Sequence, residues 1–156
     1  MSFVAVSSAK PLIPAFGWIE DALSPFAEPV LRLATGLILM PHGAQKLFGW
    51  FGGYGVEGTG QYFATQLHLS ASLALLAGLI EFFGGLALAA GFTTRAAAAL
   101  VVGMMTVAIV CVHLPNGFFW TSGGFEYPLL WGIVALYFVV RGGGHYSVDA
   151  AIGREI

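Results

Sequence analysis

The chain has 156 residues, of which 58% are hydrophobic and 9% charged, with a mean hydropathy of +0.84. A soluble domain carries about 25% charged residues, so this composition excludes a water-covered globule and makes lipid the solvent. The formal net charge of −2 gives none of the basic surface that nucleic acid needs, and the single cysteine, Cys111, excludes an intrachain disulfide or a CxxC redox pair and reads as a small packing residue.

Residues 1–27 hold one lysine, Lys10, and the prolines Pro11, Pro14 and Pro25, with no long apolar core. No cleavable signal peptide is expected from that pattern. Phe16, Trp18, Ile19, Leu23 and Phe26, with Glu20 and Asp21 between them, allow either a short helix on the membrane surface or an irregular tail. This leading segment is taken as cytoplasmic or interfacial, ahead of a membrane domain at 28–152 and a tail at 153–156.

A hydrocarbon core of roughly 30 Å takes about 20 helical residues. Four segments are predicted to cross it, near 28–49, 70–91, 95–114 and 126–141. The fold class is therefore all-α, a four-helix transmembrane bundle. No segment alternates cleanly, and a closed membrane barrel needs at least about eight strands. Lys10, Arg32, Arg95, Arg141 and Arg154 gather on one side, with only Lys46 on the other. The positive-inside rule then puts both termini in the cytoplasm of a bacterial or archaeal cell. The links at 50–69 and 115–125 face outward.

Both outer links mix glycine with aromatics, as in Trp50-Phe51-Gly52-Gly53-Tyr54-Gly55 and Phe118-Phe119-Trp120. Such residues suit an interfacial belt or re-entrant loops over an outward-opening cavity. In the second segment Gly78, Gly84, Gly85 and Ala89 leave a smooth surface beside Glu81. Small residues of this kind let membrane helices approach closely. The third segment offers Ala96 to Ala99 and Gly103 for the same purpose. Pro41 interrupts the first segment just before His42 and frees the carbonyl of Leu37.

Glu81 sits mid-segment, where a charged side chain costs roughly 2.5–3.5 kcal/mol on insertion scales unless it is compensated. His42, Gln45 and Lys46 fall at i, i+3 and i+4 and share a helix face. At about 1.5 Å per residue, His42 lies roughly 5 Å outward of the midplane and Lys46 roughly 11 Å. His113 closes the third segment and Glu126 opens the fourth, so all these groups can line one outward-opening cavity. Blander readings stand beside this one. Lys46 can snorkel to the headgroups, Glu126 can be a solvated helix start, and His113 can bond a loop carbonyl. A Glu81–His42 or Glu81–Lys46 pair can merely fix helix register. His42 and His113 meet only the minimum for a b-type haem, and no tight ligand cluster points to zinc. No phosphate loop, hydrolase elbow or dinucleotide fingerprint is present.

Pro41-His42-Gly43-Ala44-Gln45-Lys46-Leu47-Phe48-Gly49 resembles the first-helix motif of the DoxX family of small bacterial and archaeal membrane proteins. Phe51-Gly52-Gly53-Tyr54-Gly55 and Gly58 are similar to the following loop, and Glu81-Phe82-Phe83-Gly84-Gly85 with Gly91 to the second-helix motif. His113, Asn116-Gly117-Phe118-Phe119 and Gly124-Phe125-Glu126-Tyr127-Pro128-Leu129 resemble the outer loop between helices three and four. Gly142-Gly143-Gly144-His145-Tyr146-Ser147-Val148-Asp149 is similar to the glycine-rich tail. The resemblance spans about residues 28–152 and implies a four-helix membrane bundle. It also implies redox surroundings, since similar proteins include a subunit of an archaeal thiosulfate:quinone oxidoreductase and components of a membrane-associated redox complex. It transfers no catalytic residue.

Three functions are weighed on this footing. The first is an accessory redox subunit that binds a quinone. His42, Gln45, Lys46, Glu81, His113 and Glu126 would supply hydrogen bonds and protons, and Trp50, Phe51, Trp120 and Tyr127 an aromatic slot. The second is a non-enzymatic structural or assembly subunit, with other membrane subunits or a second copy as partners. The third is a small permease for an apolar solute, which ranks last because no internal repeat appears.

Overall fold

The computed structural model describes residues 12–155 and is helical throughout, with no strand among the described residues. Lys10 and Pro11, used above for charge and signal-peptide reasoning, lie outside them. Helix α1 runs from Pro14 to Phe48, and a 3-10 turn at Trp50–Gly52 leads into α2 at Gly55–Gln66. Helix α3 (Ser72–Ala90) is one rod in three stretches: α-helical Ser72–Leu79, a π turn at Ile80–Gly84, and α-helical Gly85–Ala90. Helix α4 (Thr94–Asn116) also changes pitch, with a π turn at Ile109–His113 and a final 3-10 turn. Helix α5 spans Glu126–Arg141, and the short α6 spans Val148–Ile152.

Among the described residues three helices are long and apolar enough to cross a membrane: Phe16–Phe48, Ser72–Ala90 and Thr94–Asn116. The latter two match the predicted segments closely. Helix α5 has the predicted bounds, but its 16 residues reach only about 24 Å. The end bearing the aromatic loops is termed the loop end, and the end bearing Gly142–Ile152 the tail end.

The first helix starts at Pro14, well ahead of the predicted 28. Pro14 occupies the first helical turn, where its missing N–H costs nothing. Pro25 and Pro29 stay within the helix, and the turn between them is tied to the rest of the chain. Phe26 stacks on Tyr146 at 5.6 Å, and Glu28 accepts hydrogen bonds from Arg141 and from the Tyr137 hydroxyl. The link at 50–69 likewise contains a helix, α2, that the glycine-rich sequence did not announce.

Helices α1 and α3 run antiparallel in a tight seam. Gly36 faces Gly85 and Ala89, Gly43 faces the backbone of Phe82, and Gly78 faces Leu47. The facing residues are Gly36, Met40, Gly43 and Leu47 on one side and Gly78, Phe82, Gly85 and Ala89 on the other. Both sets step four, three and four residues, the spacing that keeps two helices in register. Gly84, grouped with this surface from the sequence, meets only Ile80 of its own helix. Helix α4 packs along α5 and against the π turn and lower half of α3. Leu39, Val101, Met105 and Ala135 form one buried cluster, and Leu88, Ala98 and Phe138 another.

The tail end is closed by polar groups that the sequence did not single out for this task. Arg32, 3% exposed, donates to the carbonyls of Gly143 and Tyr146. Asp149 accepts from the amides of Thr93 and Thr94 at 2.7 and 2.8 Å and from the Thr94 hydroxyl at 2.6 Å. It thereby satisfies free donors at the start of α4. Ser147 caps α6 through its bond from the Ala150 amide. Burial alone would raise the Asp149 pKa, but the Thr94 and Thr93 bonds and nearby Arg32 outweigh it and hold the carboxyl below its ordinary range.

Two outcomes are expected. A Leu side chain at Gly36 meets Gly85 and Ala89 head-on, so Gly36→Leu should lower stability by about 3 kcal/mol, roughly 6–12 °C in melting temperature. A melting curve in detergent checks this, with Gly103→Ala, whose new methyl meets nothing within 4 Å, as the neutral control. The depressed Asp149 pKa contributes stability that is complete above the unfolded value of about 3.9 and is lost as pH falls through the folded one. Asp149→Ala should therefore cost about 2 kcal/mol at neutral pH and weaken the loss of stability seen on acidification. An unchanged pH profile in that variant would remove Asp149 as its source.

Candidate functional site

At the loop end, α1, α2, α3, α4 and the start of α5 surround a cavity of about 910 Å³. That is at the upper end of the roughly 300–1,000 Å³ of small-ligand pockets. Its wall is mostly apolar, with few charged groups. Glu81 projects from the π turn of α3 and is 6% exposed. Its Oε2 lies 2.6 Å from Lys46 Nζ, which also approaches the His42 carbonyl at 3.4 Å.

The seam explains how Lys46 reaches Glu81. Gly43 stands level with Phe82, so Lys46 lies about one turn nearer the loop end than the carboxylate. Its side chain turns back along α1, the way helical Cα–Cβ bonds tilt. The snorkelling alternative is thus replaced by an inward pair, at a lower level than the sequence spacing implied for Lys46.

His42, Gln45, Lys46, Glu81, His113, Trp120 and Tyr127 all line the cavity; Trp50, Phe51 and Glu126 do not. Gln45 donates to the Phe51 carbonyl at 3.2 Å and ties the loop to α1. The loop can approach there because Gly53 has no Cβ to strike Gln45. Trp50 and Phe51 are 55% and 71% exposed and pack on Phe48 and on each other. They form a rim belt outside the predicted slot. Glu126 accepts from the Trp120 amide at 3.1 Å and so organises the turn at Trp120–Ser122. His113 shares a 2.6 Å hydrogen bond between Nδ1 and the Gly123 carbonyl, so it braces the loop while its ring faces the cavity.

An aromatic row lines one wall. Trp120 stacks on Tyr127 at 5.5 Å, Tyr127 meets Trp131 edge-on at 6.0 Å, and Trp131 meets His42 edge-on at 6.1 Å. Trp131 is not among the site residues the sequence pointed to. Its i+4 spacing from Tyr127 was the signal that both share a face. Tyr62 and Phe63 of α2 cover the cavity, and nothing in the sequence marked them because α2 itself was not foreseen. Among the described residues no group of three or more metal-ligating side chains comes together.

A model of the DoxX family matches residues 29–114. The chain belongs to the DoxX family and is a membrane protein. The match reaches from the first turns beyond Glu28 to the end of α4 and takes in His42, Lys46, Glu81 and His113. An uncharacterized protein of Haemophilus influenzae (strain ATCC 51907 / DSM 11121 / KW20 / Rd) is 30% identical over 132 residues, 80% of this chain and 90% of that one. A Bacillus subtilis (strain 168) protein described as "Putative oxidoreductase CatD" is 28% identical over 120 residues, 77% of this chain and 82% of that one. No solved structure matches the chain.

Removing one partner of a buried ion pair strands the other charge and costs about 3–5 kcal/mol. Lys46→Met should therefore lower the yield of folded protein, and adding Glu81→Met should restore it. Size-exclusion profiles and melting curves of the single and double variants check this. A double variant as unstable as Lys46→Met would show that burial of an unpaired carboxylate is not the cause.

Proposed function

We propose that the chain is a multi-pass redox-linked membrane protein that binds a quinone, or a similarly apolar carbonyl compound, in the loop-end cavity. The carrying observation is the Lys46–Glu81 pair set in the wall of a large apolar space. A quinone asks for an apolar slot, flat aromatic surface and hydrogen-bond donors at its carbonyl oxygens. The Trp120–Tyr127–Trp131 row offers the surface, and Lys46, with His42 beside it, offers donors. Glu81 holds the ammonium in place and can exchange a proton with it. In this reading electrons come from a partner subunit. The description of the Bacillus relative as an oxidoreductase lends this reading support.

In this reading α5 is the fourth crossing and completes a four-helix bundle. Its short length is accommodated by Tyr127 and Trp131 at the interface and by Arg141 snorkelling at the tail end. In the same reading the tail end, which gathers Arg32, Arg95, Arg141 and Arg154, faces the cytoplasm by the positive-inside rule, with the cavity toward the outside of a bacterial or archaeal cell. A structural or assembly subunit is the second reading. It is favoured by the first turns of α1, where Phe16, Trp18 and Leu23 are 57–67% exposed and offer a surface to other subunits.

Native mass spectrometry of the protein released from its own membranes should show a bound quinone mass. In lipid nanodiscs, Glu81→Gln should weaken binding of a benzoquinone probe about tenfold, some 1.4 kcal/mol, while the protein still assembles. Unchanged binding in Glu81→Gln would remove the role given to the pair. Recovery only within a larger hetero-complex, with no small molecule on this chain, would favour the assembly reading.

A further inference from the structure

Helices α3 and α4 meet at the π turn of α3 and below it, and above it α3 leans on α2 instead. The cavity wall between them carries Leu76 of α3 and Leu100, Gly103 and Val107 of α4. These same residues face outward: Leu76, Leu100 and Val107 are 50–54% exposed and Gly103 is exposed. A residue that both lines a cavity and faces outward stands at a mouth. This mouth has no charged or hydrogen-bonding side chain among those four, and it lies on apolar membrane-crossing helices. It therefore opens sideways, toward acyl chains. Gly103, which the sequence offered as a packing glycine, packs against nothing: a Cβ built there meets no atom within 4 Å. Its role is to leave the mouth open.

We infer that the gap between α3 and α4 is a lateral portal for a long apolar tail, carried by a ligand whose polar head reaches the Lys46–Glu81 pair. The inference rests on the ligand-binding reading above and adds the class of ligand: a membrane-dissolved amphiphile with one long hydrocarbon or isoprenoid chain. The charged end of the cavity is bordered by α2 and the Gly49–Gly55 loop, which Gln45 ties to α1, and the cavity residues exposed there are Tyr54, Tyr62, Trp120 and Tyr127. An apolar chain leaving at that end would pass tyrosine hydroxyls and the indole N–H on its way to the headgroups. One leaving between Leu76 and Gly103 passes only apolar side chains and continues in lipid, at about 25 cal/mol for each Å² kept from water.

The test uses the full chain in nanodiscs and two probes, a benzoquinone ring alone and the same ring with a decyl tail. Wild type should bind the tailed probe at least about tenfold more tightly. Gly103→Phe, which adds a bulky side chain where a Cβ meets no atom within 4 Å, should abolish that advantage and leave the ring-only affinity unchanged. A tail advantage that survives Gly103→Phe in folded protein overturns the portal. Ring binding with no tail advantage in wild type overturns it too, while failure of both probes to bind wild type overturns the ligand reading itself. A photoactivatable group at the tip of the tail gives a readout on wild type that no folding defect can obscure. Label should map to 72–80 and 100–107 and be competed by the ring-only probe. Label confined to the loops overturns the portal, as does uncompeted labelling matched by a phospholipid with the same photoactivatable tip.

Discussion

Gly36 and Gly43 lie two turns apart on α1, and each lets the backbone of α3 come where a side chain would otherwise stand. In lipid there is little hydrophobic gain from pressing two helices together, so close packing and interhelical polar contacts hold them. The glycines supply the first and thereby make the second geometrically available. Only when α1 and α3 approach this closely does a lysine one turn higher reach a carboxylate at mid-helix with a 2.6 Å contact. A wider seam would leave Glu81 unpaired at a depth where charge is costly. The ion pair, the tilt of Lys46 and the shape of the cavity floor all follow from this approach.

The two ends of the molecule put their polar groups to opposite uses. At the tail end nearly every polar group is answered locally: Asp149 receives three hydrogen bonds, Arg32 gives two to carbonyls, and Arg95 spans to the carbonyls of Val139 and Val140. That is how a structure fixes a chain terminus against a helix start. At the loop end Lys46, Glu81, His42 and His113, from three helices, line the cavity. Gly91 shows how little room the tail end has, since a Cβ there would strike the Arg32 guanidinium. The closely packed end carries the tail motif, and the cavity lies at the other end.

The apolar periods of the chain were legible because lipid imposes a length on each crossing. The segments predicted at 70–91 and 95–114 differ from α3 and α4 by two residues or fewer at each end. What escaped was set by contacts distant in sequence. The helix could not be foreseen to run through Pro25 and Pro29, because the groups that hold it, Tyr146, Tyr137 and Arg141, are more than a hundred residues away. Helix α2 has glycines at Gly55, Gly58 and Gly60, which weigh against a helix by propensity; packing against α3 overrides them. The shared face of His42, Gln45 and Lys46 was visible as spacing, whereas which of His42 and Lys46 answered Glu81 depended on the depth at which two helices cross.

The π turns connect these observations. Each inserts one extra residue into a helix, and each lies where a cavity residue leaves its helix: Glu81 in Ile80–Gly84 and His113 in Ile109–His113. Glu81 lies three residues after Gly78 and four before Gly85, so it shares the broad face that α3 turns to α1, and there it meets Lys46 beside the Gly78, Phe82, Gly85 and Ala89 contacts. The second π turn brings His113 round to the Gly123 carbonyl and holds the loop over the cavity. Such turns carry weaker backbone geometry than the helix they interrupt. Here two of them occur in two neighbouring helices, at the level of one cavity, and each presents an ionisable side chain to it.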